Sequence, residues 1–395
     1  VSPSLQERYL TAAGKISRLA VGDLSMRPGS DTYRVPQDLS HNQHIEGLPL
    51  GTVGGLTVRH TFPLDAEYEF RTQLYRTNLN IVRGLQYPSE FEISVDGRRV
   101  HHVTIGGNED LAAMFDKPTD TGDAVELRMR VRVPVKAGPH EVTATFIENM
   151  AVKDTVRLQP FLRSSADNFD WAGRPHIQTF TVTGPFGADG TGDTASRREI
   201  FTCRPTSPRR ERDCATQILS RLARRAYRQP VSKAEMEPIL NFYDTARRKG
   251  GFESGIQRGL ERILASPRFA FRIEHDPDSV APGTPYRVSD LELASRLSFF
   301  LWSSIPDDTL LDLASRGRLK DPVVLDQQVR RMLADPRSNA LVENFAGQWL
   351  QLRNVRSVLP NSDQFPDFDD NLRQSFREET ELLFESIIRE DRNVL

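Results

Sequence analysis

The sequence predicts an α+β protein of several domains, in which an antiparallel, jelly-roll-like β-sandwich precedes an all-α helical domain. Three observations lead to this prediction. The 395 residues exceed the length of one typical domain. Over much of the first half, apolar residues alternate with a period of two, which is typical of half-buried strands. In the second half, they recur every three or four positions between prolines, which is typical of helices.

The two patterns divide the chain into four regions. The change of period follows a Gly-rich stretch, and glycine and proline mark connections because they interrupt regular backbone conformations. The predicted regions are 1–21, a helix from the tail of a preceding domain; 22–185, the sandwich; 186–212, a connector; and 213–395, the all-α domain, which we expect to continue beyond the chain end.

The sandwich prediction depends on short alternating segments separated by turn residues. The strongest is "VELRMRVRV" (residues 125–133), in which every second residue is apolar, so we predict one strand over its whole length. Asp96-Gly97 follows another alternating segment and is a strong signal for a two-residue hairpin turn. Six or more such strands predict an antiparallel sandwich or jelly roll.

The helical predictions depend on apolar faces and on N-terminal capping. Capping boxes, each a Ser followed three residues later by a Glu, predict helices that begin after Ser232 and Ser289. We expect Trp302 and Trp349 to lie in the core because both fall on apolar helix faces. The first helix is predicted to bury one face formed by Leu5, Tyr9, Ala12 and Ile16.

Composition and motifs exclude several classes of function. The formal net charge of −2 predicts no general attraction to nucleic acid, and no apolar run approaches the length of a membrane span. Paired arginines alternate with apolar positions and predict solvated faces or ion pairs. The chain has no nucleophile elbow, P-loop or dinucleotide-binding motif, so no catalytic residue is predicted and enzymatic activity is left open.

Ten residues separate the two cysteines, Cys203 and Cys214, in "IFTCRPTSPRRERDC". Neither a Cys-x-x-Cys redox motif nor the Cys-x-x-Cys-His motif for c-type haem is present, and no histidine lies close enough to complete a local zinc site. We predict a disulfide, with free buried thiols and metal ligation as the alternatives. A disulfide would indicate an oxidising compartment.

Acidic and amide side chains in loops after the predicted strands indicate a calcium site, because Ca²⁺ prefers oxygen ligands. Solvated loops are the alternative. The predicted calcium ligands are Glu148, Asn149, Asp154, Asp167 and Asp170. Trp171 and Asn168 are predicted to contact a sugar ring. His41 and His44 form an alternative pair of metal ligands, although a loop with hydrogen-bonded imidazoles fits these two histidines better.

Several long stretches resemble the planctomycete-type cytochrome-c-associated proteins, which contain several domains of unknown function. The stretches are "GPFGADGTGDTASRREIFTCRP", "LARRAYRQPVS", "GGFESGIQRGLERILASPRFAFRIE", "LASRLSFFLWSSIPDDTLLDLA" and "FAGQWLQLRNV". The resemblance implies export, a c-type haem only in a flanking domain, and a β domain similar to calcium-dependent xylan-binding modules. It also implies that the chain is the middle of a longer protein.

We therefore expect a non-catalytic middle segment of an exported, c-type-haem-linked redox protein, located in the periplasm, at the outer membrane or outside the cell. Its expected partners are the haem domain of the same polypeptide or a cytochrome, and a polysaccharide, with no nucleic acid and no membrane span. One alternative is a calcium-dependent surface carbohydrate-binding protein. Another is an accessory subunit of a larger envelope complex.

Overall fold

A computed structural model describes residues 3–39, 41, 44–148, 173–274, 276, 280–281, 283–361, 364–365 and 367–393. The chain forms two compact units. The helical unit comprises Val1–Asp23, Ala195–Val355 and Glu378–Leu395, and the sandwich unit comprises Leu24–Thr194 and Arg356–Arg377. Two antiparallel sheets and many helices confirm the predicted α+β class.

Within its described residues, the sandwich unit has two four-stranded antiparallel sheets, with strand orders β1-β8-β3-β6 and β2-β7-β4-β5. Two helices, α2 (Asn108–Asp116) and α3 (Pro118–Arg128), lie between β5 and β6. The strands are β1 (Gly29–Arg34), β2 (Thr52–Phe62), β3 (Asp65–Leu74), β4 (Ser89–Val95), β5 (Arg98–Ile105), β6 (Val131–Val135), β7 (Gly138–Ile147) and β8 (Ile177–Gly190).

The inward-facing residues of both sheets form one apolar core. Large aromatic side chains fill it, and they alternate with exposed residues along β3 as a half-buried strand requires. The predicted hairpin is present between β4 and β5, and Asp96 and Gly97 both have positive φ at its turn. The buried aromatic residues of this core are Phe62, Tyr68, Phe70, Phe91, Phe146 and Phe180.

One strand prediction is wrong in its first half. The segment "VELR" (residues 125–128) ends helix α3, and only Val131–Val135 form a strand, β6. Val125 and Met129 are both buried as predicted, but Leu127 is exposed. Because Val125 and Met129 are four positions apart, they share a face in a helix as well as in a strand, so the alternation did not distinguish the two conformations.

The helical unit consists of α1, the helices from α4 to α12, and the part of α13 that follows Arg377. A 3-10 turn (Pro336–Ser338) and a π-helical segment (Val342–Ala346) flank α11, and a further 3-10 segment (Leu352–Ser357) follows α12. The helices are α1 (Pro3–Val21), α4 (Ala195–Ile200), α5 (Pro208–Tyr227), α6 (Lys233–Leu264), α7 (Pro267–Ala270), α8 (Asp290–Trp302), α9 (Asp308–Ser315), α10 (Pro322–Ala334), α11 (Asn339–Leu341), α12 (Gly347–Trp349) and α13 (Asp370–Glu390).

Local capping explains where two of these helices begin. Ser232 and Ser289 each accept a hydrogen bond from the backbone of the third helical residue, whose Glu side chain accepts one from the serine backbone. Both predicted capping boxes are therefore present. Helix α6 bends at Gly251, where φ is 79°, and this position requires the conformational freedom of glycine.

The face that α1 buries differs from the prediction. Leu5, Tyr9 and Ile16 are exposed, whereas small residues, including Ala13, Gly14 and Ser17, are buried. Helix α1 packs on α6 within the helical unit, and Gly14 lies close to a side chain of that helix. The small residues allow this close approach, which a count of large apolar residues did not reveal.

Two apolar clusters stabilise the helical unit. The first lies around α5 and α6, and the second lies around α8, α9 and α10. Trp302 is buried in the second cluster, as predicted, and its indole N–H donates to the Met332 carbonyl over 2.9 Å. Trp349 is 66% exposed, so the prediction that it lies in the core is wrong.

Candidate functional site

Cys203 and Cys214 form the predicted disulfide. The Cα atoms are 5.9 Å apart, and the bond joins the loop after α4 to the first half of α5. Cys214 is buried in the first apolar cluster, so the disulfide fixes this loop against the core. A disulfide is typical of proteins in oxidising compartments. Across the described ranges, no helix combines the length and the apolar character that a membrane span requires.

Ion pairs reinforce the same loop. Arg197 is buried and forms two hydrogen bonds to the Glu253 carboxylate, at 2.9 and 2.7 Å, and Arg204 donates to the same carboxylate. Both guanidinium groups also lie over the Phe201 ring at 4.9 Å. Although burial acts to raise it, these two arginines lower the pKa of Glu253. The arginines around the disulfide therefore stabilise the unit.

The predicted pair His41 and His44 contacts backbone groups in the structure. His41 is buried, its Nδ1 contacts the Leu39 carbonyl at 3.2 Å, and its Nε2 accepts the Ile177 N–H at 3.3 Å. Burial holds the pKa of His41 well below its ordinary value, so the ring is neutral. His44 Nδ1 lies 3.2 Å from the Thr52 carbonyl. Both ring nitrogens of His41 are thus engaged with backbone.

The calcium and sugar predictions fall mostly outside the described residues. Among the predicted ligands, only Glu148 is described. It directly follows β7, and its backbone N–H donates to the Gly51 carbonyl. Among the described residues, no group of three His, Cys, Asp or Glu side chains is arranged to hold a metal ion. The residues outside the described ranges are Asn149, Asp154, Asp167, Asn168, Asp170 and Trp171.

A polar cluster that the sequence did not predict lies at one end of the sandwich. His60 on β2 and His140 on β7 are directly opposite each other in the strand pairing. The Tyr33 hydroxyl lies 2.8 Å from His60 Nδ1 and connects β1 of one sheet to β2 of the other. His140 Nδ1 donates to the Asp96 carboxylate over 2.6 Å. In β2, buried His60 lies between exposed Arg59 and Thr61, but nothing in the sequence pairs it with His140.

The charges of this cluster follow from burial and hydrogen bonding. Burial lowers the pKa of His60, although Asp31 acts in the opposite direction. Burial and then Asp31 raise the pKa of Tyr33. Burial acts to raise the pKa of Asp96, but hydrogen bonds from His140 and from the backbone N–H of Glu141 lower it overall. At neutral pH, His60 is therefore uncharged, Tyr33 keeps its proton and Asp96 is ionised.

The helical unit carries a largely exposed group of aromatic side chains, which we call the aromatic patch: Phe300, Phe345, Trp349 and Phe384. Phe345 is central, with its ring 6.0 Å from Phe300, 5.9 Å from Trp349 and 6.4 Å from Phe384. Phe300 is 56% exposed, Phe345 46% and Trp349 66%. Exposed apolar patches commonly mark interaction surfaces. The quoted sequence stretch "FAGQWLQLRNV" contains two of these residues, but periodicity assigned Trp349 to the core.

The backbone that carries the patch is unusual. Phe345 lies in the π-helical segment, which is anchored by buried Val342 and Ala346. Such segments are rare and occur frequently at functional sites. Because four helical elements supply the rings, the patch is held on regular structure rather than on a loop.

Two family models match parts of the chain. Residues 214–274 match PSD5, described as "Protein of unknown function (DUF1595)", and residues 288–395 match PSD4, described as "Protein of unknown function (DUF1592)". Both families are typical of planctomycete cytochrome-c-associated proteins, which confirms that part of the resemblance. No curated protein matches the chain, and no solved structure matches it. The resemblance of the sandwich to xylan-binding modules stays a prediction.

Proposed function

We propose that this chain is a non-catalytic segment of an exported, c-type-haem-linked redox protein. In this proposal the helical unit is a scaffold for the haem module, and the sandwich docks a polymer or a protein partner. The observation that carries the proposal is the match of two segments to families that are typical of cytochrome-c-associated proteins. The Cys203–Cys214 disulfide supports export to the periplasm, the outer membrane or the exterior.

An absorbance spectrum of the full-length protein, purified from its native source, tests this proposal. We expect the bands of a c-type haem that stays covalently attached after denaturation. A recombinant chain of residues 1–395 is the matched control, because it has no Cys-x-x-Cys-His motif and should carry no covalent haem. A native protein without such bands would refute the redox part of the proposal.

A second candidate function is calcium-dependent binding of carbohydrate by the sandwich. The strand orders β1-β8-β3-β6 and β2-β7-β4-β5 favour it, since eight strands in two antiparallel sheets are the composition of a jelly roll. We infer a jelly roll whose loops after β7 hold the calcium and whose Trp171 stacks on a sugar. Lectin and related sugar-binding domains use this type of sandwich.

Glycan-array binding distinguishes this second function from the first. Binding should require calcium and should be lost in Trp171→Ala. The matched control is Trp349→Ala, which removes an exposed tryptophan from the helical unit and should leave glycan binding unchanged. Binding that survives both a calcium chelator and Trp171→Ala would exclude the proposed sugar site.

A further inference from the structure

The aromatic patch has the character of a pre-formed protein contact. Three of its four rings are about half exposed or more, and the four rings contact one another rather than a common core. Leu350 and Leu383, which follow Trp349 and precede Phe384 in the sequence, are also exposed. Burial of this apolar surface by a partner would contribute about 25 cal/mol of favourable free energy per square ångström. Rigid aromatic side chains lose little conformational entropy on binding, so they are common anchors of interfaces.

The charges around the patch are predominantly acidic. Residues 339–353 and 378–390, which carry three of the four rings, contain six glutamates and two arginines, a formal charge of −4. One of the six, Glu390, is paired with Arg392 just outside this range. Glu343, Glu378 and Glu379 are exposed, and within the described part of the chain none of them pairs with a cation. Arg296, one helical turn before Phe300, does not offset this charge, because both of its hydrogen bonds go to the Glu274 carboxylate.

We propose that the aromatic patch is a docking surface for a basic protein partner whose contact face has an apolar centre and a rim of lysines. An apolar centre on the partner matches the rings, and a basic rim matches the unpaired glutamates. The charge argues against two other occupants. A second copy in a two-fold dimer would place glutamates opposite glutamates, and an anionic membrane surface would repel the same rim.

This inference deepens the proposed function. It rests on that function for the identity of the partner, because a c-type cytochrome whose haem edge is surrounded by lysines is both a redox partner and a basic protein with an apolar centre. The patch would then hold the redox partner against the helical scaffold. The acidic rim would speed association, and the rings would slow dissociation.

Surface plasmon resonance, at low and at physiological salt, tests the inference by measuring how tightly the protein binds two basic proteins. The probes are a c-type cytochrome with a lysine-rimmed haem edge and lysozyme, which is basic and has no haem. We expect the protein to bind the cytochrome more tightly than lysozyme. Trp349→Ser and Phe345→Ala should each weaken cytochrome binding about tenfold or more. Glu378→Gln combined with Glu379→Gln should weaken it at low salt and reduce its dependence on salt.

Two matched controls separate the patch from general effects. Leu50→Ser removes an exposed leucine of the sandwich unit, which is 92% exposed, and should leave binding unchanged. Glu7→Gln with Glu237→Gln removes two exposed charges from α1 and α6, the helices around the first apolar cluster, and should have little effect. Circular dichroism of every variant checks that the fold is retained.

Several results would overturn the inference. They are equal affinity for both probes, no binding of either probe, an unchanged affinity in the patch variants, or equal losses in the two double glutamine variants. A concentration-dependent dimer that Trp349→Ser abolishes would show that a second copy occupies the patch, and vesicle binding lost in the same variant would show a membrane. Covalent haem in the native protein is measured separately, so failure of the docking surface and failure of the redox proposal are distinguishable.

Discussion

Removing the Cys203–Cys214 disulfide should destabilise the helical unit by an amount that follows from its loop. The cysteines are 11 positions apart, and closing a loop of this size stabilises a protein by about 3 kcal/mol in the chain-entropy model. For a unit of this size, that loss corresponds to a fall in Tm of about 6–12 °C. Alanine is the appropriate replacement because Cys214 is buried and a serine hydroxyl would add a separate cost.

A double-mutant cycle makes this prediction sharper. The same bond is absent from Cys203→Ala, from Cys214→Ala and from the double variant. The free energy of unfolding should therefore fall by about 3 kcal/mol in all three, and the loss in the double variant should not be the sum of the two single losses. Thermal and denaturant unfolding followed by far-ultraviolet circular dichroism measures the loss, and reduction of the wild-type protein provides an independent comparison. Additive losses, or losses below about 1 kcal/mol, would contradict the chain-entropy explanation.

Three further predictions concern single residues. Burial lowers the pKa of His41, so the stability that depends on its neutral ring is complete above the unfolded value of about 6.5 and is lost as the pH falls below it; Tm measured between pH 7.5 and 5.5 should fall, and less steeply in His41→Asn. Gly84→Ala should cost more than Gly97→Ala in denaturant unfolding, because both have positive φ but only at Gly84 would a Cβ lie 2.3 Å from backbone atoms; equal costs would contradict this reasoning. Trp302→Phe should cost about 1–3 kcal/mol in thermal unfolding, because it leaves the buried Met332 carbonyl without its donor, and a neutral effect would show that another donor replaces it.

Local signals predicted two helix starts and one hairpin turn because the causes of these features are local. The capping boxes at Ser232 and Ser289 and the turn at Asp96-Gly97 each depend on residues within four positions, and all three are present. The segment "VELRMRVRV" was harder, since its alternation permits Val125 and Met129 to share a face in either conformation. In the structure residues 125–128 continue a helix that begins at Pro118, and the alternation itself carries no sign of that preceding helix.

The candidate sites were less predictable because they depend on contacts between distant residues. The alternation along β2 explains why His60 is buried, but its position opposite His140 follows from the pairing of β2 with β7. Trp349 illustrates a different limit. An apolar helical position predicts burial only when another element covers it, and whether one does is a tertiary property that periodicity cannot report.

The disulfide also bears on where the helical unit begins. The DUF1595 match starts at residue 214, and the sequence suggested that residues 186–212 are a connector. In the structure, however, Ile200 and Phe201 are buried in the first apolar cluster together with Val21 of α1. The Arg197–Glu253 pair and the disulfide both join this preceding segment to the matched one. A fragment that starts at residue 214 would therefore expose apolar core and leave Glu253 without its buried arginine, because the physical unit is larger than the segment that the family model describes.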